Sequence, residues 1–74
     1  MTAEQTIEHC QRKIDLLGEN ALVVLLMPGK WGNRSYRKIA GIKGEIVGKE
    51  AGNMLMVVFP AVQLKAALEK EMAK

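Results

Sequence analysis

A chain of 74 residues that is 49% hydrophobic, with three aromatic residues and a formal net charge of +3, has room for one domain whose core must be built from Leu, Ile, Val, Met and Ala. That composition excludes disorder, and a single cysteine, Cys10, excludes an internal disulfide. The longest run free of polar, charged, Gly or Pro residues is Ala21 to Met27, far short of the roughly 20 residues a membrane-spanning helix needs, so no membrane partner is expected.

The first residues, MTAEQTIEHC, have neither the basic start nor the apolar core of a signal peptide, and a cytoplasmic location follows as an expectation. Thr2 with Gln5 three residues later has the form of a capping box, which predicts a helix from about Ala3 to Leu17. Ile7, Cys10, Ile14 and Leu17 draw one apolar stripe along it, and Gly18 can take the left-handed conformation that ends it.

Leu22 to Met27 is apolar without alternation, the pattern of a strand buried on both faces, and Met54 to Phe59 repeats it. Pro28-Gly29 stops the first strand, and Lys30 to Arg37 reads as a loop. Extended structure resumes near Lys38 or Ile39. From Gly41 to Phe59 the chain reads as a β-hairpin: Ile42, Gly44 and Ile46 alternate with Lys43 and Glu45, and Glu50-Ala51-Gly52-Asn53 supplies the turn. Gly41, Gly44 and Gly48 in one arm suggest a bulge or sharp bend. After Pro60, Leu64, Leu68 and Met72 recur at spacings of four in a short amphipathic helix.

The expectation is a single domain over residues 1–74, with a helix at about 3–17, a β core at about 21–59 and a helix at about 61–73. Its class is α+β or mainly β, built on a small, strongly curved antiparallel sheet. Both apolar strands require cover on the second face of that sheet from helices, from curling into a barrel, or from another subunit.

The order of apolar strand, basic glycine-containing loop (PGKWGNRSYRK), glycine-rich strand with Gly41, Gly44, Ile46 and Val47, turn, and Val57-Val58-Phe59 resembles the small SH3-like barrels, including the KOW-type domains of ribosomal and transcription proteins. The resemblance covers about half of the chain. It implies a barrel-like sheet, and such barrels serve both in nucleic-acid binding and as docking subunits.

Charge is concentrated in the same region. Residues 28–48 hold Lys30, Arg34, Arg37, Lys38 and Lys43 against Glu45 alone, whereas residues 1–20 carry two cations against four acids, so an anionic partner is favoured at the loop. Cations that neutralise phosphates, interleaved with Trp31 and Tyr36 that can stack on bases, suit single-stranded nucleic acid or RNA. Lys30, Trp31, Arg34, Tyr36, Arg37, Lys38 and Lys43 are therefore the candidate binding residues. The plainer alternative has the two aromatics plugging the open end of the sheet while the cations face water.

A chain with one His and one Cys does not supply the roughly four ligands of a zinc site, and Cys10 on the apolar stripe reads as a small hydrophobe. With no second His and no nucleophile placed beside a base, neither an enzyme nor a cofactor is expected. Two functions stay open: a small non-enzymatic nucleic-acid-binding accessory protein, and a protein-docking module whose basic loop meets an acidic partner with Trp31 as anchor. A third reading makes the working unit a homo-oligomer, in the first instance a dimer, joined through apolar strand surface left open by the helices.

Overall fold

The structure, a computed structural model, describes residues 2–29 and 36–73. Its elements are α1 (Ala3–Leu17), β1 (Leu22–Pro28), β2 (Tyr36–Ile39), β3 (Ile42–Lys49), β4 (Met54–Pro60) and α2 (Ala61–Met72). The class is α+β. The four strands form one antiparallel sheet in the order β1-β4-β3-β2, open at β1 and β2 rather than closed into a barrel.

Helix α1 begins at the expected capping box: the Thr2 amide donates to Gln5 Oε1 at 2.9 Å, and the Gln5 amide donates to Thr2 Oγ1 at 3.2 Å. It ends at Gly18, which has φ 93° and donates its amide to the Ile14 carbonyl at 2.8 Å. The packed stripe differs by one turn from the expected one. Cys10 is fully buried and Ile7 and Ile14 pack on the core, but Leu17 is 62% exposed and Thr6 is buried instead. Thr6 tolerates this because its hydroxyl donates to the Thr2 carbonyl at 3.0 Å.

The expected hairpin is present as β3, the Glu50–Asn53 turn and β4, with Gly52 at φ 79° in the turn. The stretch before it departs from expectation. Tyr36 and Arg37 belong to strand β2 rather than to a loop, and Ala40 (φ 52°) with Gly41 (φ 80°) forms a two-residue turn between Ile39 and Ile42. Gly48 sits at a bulge where the β3–β4 register skips Val47.

Val23, Leu25, Leu55, Val57 and Phe59 form the buried inner face of the sheet, and Cys10, Ala61, Leu64 and Leu68 from the two helices close over it. Entry into α2 is fixed by the Ala61 amide, which donates to the Ala21 carbonyl at 3.0 Å. Because both helices pack on this one face, β1 is not buried on both sides as its composition suggested. It alternates, and Leu22, Val24 and Leu26 are 55%, 49% and 52% exposed. On β4 the outward residues are half-buried between their neighbouring strands.

Candidate binding surface

The register fixes what the outer face presents. Leu22 pairs with Pro60 and Lys43 with Lys38; one step along, Val24, Val58, Glu45 and Tyr36 form a continuous row across all four strands; beyond it Leu26 pairs with Met56. Strand alternation points all of these side chains away from the helices. The face is therefore divided. Its β1–β4 half is aliphatic, with exposed Val47 at its border, and its β3–β2 half carries Tyr36, Lys38, Lys43 and Glu45.

The polar half is organised by Tyr36. The Lys43 ammonium lies 4.5 Å from the centroid of its ring and that of Lys38 lies 5.9 Å away, both within the range of cation–π attraction. Lys38 and Lys43 are direct cross-strand partners, an arrangement in which like charges repel. Among the described residues no carboxylate forms an ion pair with either, the ion pair there being Lys65–Glu69 within α2. A shallow depression of about 380 Å³ joins the two halves, lined by Leu22, Pro60, Val58, Tyr36, Lys43 and Glu45.

Of the expected binding residues, Tyr36, Lys38 and Lys43 come together on this face. Arg37 does not. It is 7% exposed, alternation turns it to the inner side, and its Nη1 donates to the Tyr36 carbonyl at 3.1 Å; a guanidinium so placed is not an outward phosphate contact. Lys30, Trp31 and Arg34 lie outside the described residues. The exposed aliphatic residues Leu22, Val24 and Leu26 were missed as candidates because an unbroken apolar run reads as core.

Cys10 is fully buried, and loss of hydration pushes its thiol above the ordinary value, with Lys65 opposing part of that shift. A neutral, enclosed thiol is a poor nucleophile. Among the described residues no group of three or more His, Cys, Asp or Glu side chains is placed to hold a metal ion, and no helix there is long and apolar enough to cross a membrane. Comparison of the chain with protein-family models, with characterised proteins and with solved structures finds no match.

Proposed function

We propose that this chain is a small non-enzymatic docking module that seats a protein partner on the outer face of its sheet. The observation that carries the reading is the line of exposed aliphatic side chains Leu22, Val24 and Leu26 on a face that neither helix covers. Covering the exposed half of each contributes on the order of 1 kcal/mol, enough in sum with the half-buried β4 residues to drive association. Lys38 and Lys43 select a partner that brings a carboxylate to the edge of its own apolar patch. Kinship with the small SH3-like barrels is part of this reading, on the succession of apolar strand, basic loop, glycine-rich strand, turn and apolar strand along the chain, with the sheet left open where those barrels close.

The test is recovery of a partner from nuclease-treated lysate by the intact chain and by Val24→Asp, with circular dichroism confirming that the variant is folded. Recovery that Val24→Asp abolishes supports the outer face; equal recovery by both chains removes it.

A second reading, nucleic-acid binding, is supported by the Tyr36 ring with its two ammonium groups at 4.5 and 5.9 Å, directly following the basic segment 30–35 that holds Trp31. Single-stranded nucleic acid or RNA would stack on the aromatics while the lysines meet phosphates. Trp31 fluorescence titrated with single-stranded DNA, duplex DNA and RNA at two salt concentrations decides it. Quenching that prefers one of the three and is weakened by replacing Lys38 and Lys43 supports this reading, and no change at low salt ends it.

A further inference from the structure

We propose that the partner on the outer face is a second copy of this chain, the two sheets stacking face to face about a two-fold axis that runs across the strands between the Lys43 and Glu45 levels. The inference rests on the outer face being the docking surface and adds the identity of its occupant. It follows from the spacing of charges on that face. Lys43 and Glu45 are outward residues two apart on β3, so a two-fold axis between them sets Lys43 of each copy opposite Glu45 of the other, and no charge meets its like.

The same operation disposes of the rest of the face. On β2 it sets Lys38 opposite the partner copy's Tyr36; on β1 it sets Leu22 opposite Val24, and on β4 Pro60 opposite Val58. Within the overlap, aliphatic side chains therefore lie on aliphatic side chains and the polar half on the polar half, while Leu26 and Met56 lie beyond it. An axis moved to the Glu45 level would instead oppose two glutamates, and an axis parallel to the strands through the middle of the sheet would lay β1 on β2, aliphatic side chains on lysines. The chosen axis also brings a carboxylate to the Lys38–Lys43 pair, whose mutual repulsion has no ion-pair partner among the described residues. The depressions of the two copies face each other, and the long Lys43 and Tyr36 side chains of both lie in the space between the sheets.

Area sets the strength. With the axis between the Lys43 and Glu45 levels, three residues each of β1, β4 and β2 and five of β3 lie within the overlap, which at about 3.3 Å per residue and about 4.8 Å between strands is a footprint of roughly 200 Å². Two copies with their side-chain relief bury on the order of 500 Å², below the size of stable specific interfaces, so the contact is a weak and transient one. The dimer is thus concentration-dependent and forms only towards the high end of the concentrations tested.

Sedimentation equilibrium from about 1 to about 500 micromolar tests the association across that range. The intact chain should pass from monomer to dimer. Lys43→Glu alone and Glu45→Lys alone should each weaken the dimer by about tenfold or more, and the double exchange Lys43→Glu with Glu45→Lys should restore it. Mixed together, the two single variants should pair with each other in preference to themselves, so that a tagged Lys43→Glu chain captures untagged Glu45→Lys chain. Circular dichroism of each variant keeps loss of folding apart from loss of association, and Val24→Thr, which retains the strand shape, serves as a milder apolar probe. A monomer at every concentration overturns the inference while leaving the docking surface to its own Val24→Asp test. A dimer indifferent to the charge reversals, or one that the double exchange does not restore, also overturns it.

Discussion

The ring of Phe59 occupies the space that a side chain at position 44 would need: a Cβ built on Gly44 falls 2.5 Å from both Cε1 and Cζ of that ring and 2.7 Å from Cγ1 of Val57. Those neighbours are fully buried core atoms and have little freedom to yield. Gly44→Ala is expected to destabilise the protein by about 1–3 kcal/mol. Urea unfolding of Gly44→Ala, Phe59→Leu and the double variant tests the relationship: the double variant should lose less than the sum of the singles, and strict additivity would show that the two positions do not share that space.

The two sides of β1 should respond oppositely to one change. Val23→Thr buries a hydroxyl in the core and should cost about 1–3 kcal/mol, whereas Val24→Thr on the outer face should stay within about 0.5 kcal/mol in dilute solution. Equal costs in thermal or urea unfolding would mean that the strand is covered on both sides.

The capping box predicts a local loss. Thr2→Ala removes the acceptor for the Gln5 amide and should cost about 1 kcal/mol, while Thr2→Ser should retain most of the stability. Equal effects of the two substitutions would show that the hydroxyl does not act as the cap.

Burial of Cys10 carries a pH signature. The folded state holds the thiol above its unfolded value, so the fold binds the proton more tightly than the unfolded chain does. The associated stability is complete below the ordinary thiol range and declines as pH rises through that range towards the raised folded value. Unfolding midpoints taken at neutral and alkaline pH should fall less for Cys10→Ala than for the intact chain, and a maleimide should label the native thiol at least about tenfold more slowly than the unfolded one. Rapid labelling of folded protein would contradict the burial.

Ala40 holds a positive φ of 52°, an uncommon conformation for a residue with a Cβ. Asn tolerates it, and Asn-Gly is the favoured pair for such a turn, so Ala40→Asn should stabilise the β2–β3 hairpin by about 0.5 kcal/mol net of the lost methyl packing. A lower unfolding midpoint would show that the methyl group matters more than the backbone.

Local signals were the legible part of this fold. The cap at Thr2, the stop at Gly18, the Glu50–Asn53 turn and the start of α2 after Pro60 are written in residues that act within a turn of one another. Gly41, Gly44 and Gly48 were legible only as a group, because their separate reasons come from different partners: a hairpin turn, the Phe59 ring and a β-bulge. The Ala40–Gly41 turn was hidden because alanine is not a usual left-handed residue. The exposed side of β1 was hidden by composition, since Leu22 to Met27 carries no polar residue on either side. Element widths held the missing clue: two helices about 10 Å across cover one face of a sheet about 19 Å wide and leave none for the other. Tyr36 and Lys43 were legible as candidates but not as neighbours, which needed the β2–β3 register, and Arg37 was misplaced by reading as loop a residue that alternation turns inward.

The strand order also sets a timetable for the chain during its synthesis. Residues 36–60 form a run of neighbouring strands that can assemble from contacts close in sequence, but β1 waits for β4: Leu22 pairs with Pro60, the last residue of that run. An uncharged apolar strand made early thus has no ladder partner until most of the chain exists, and long-range pairing of this kind is slow to close. The interval before Pro60 emerges is when this protein is most exposed to aggregation, and a chain cut short within β4 would carry Leu22 to Met27 with its partner strand incomplete.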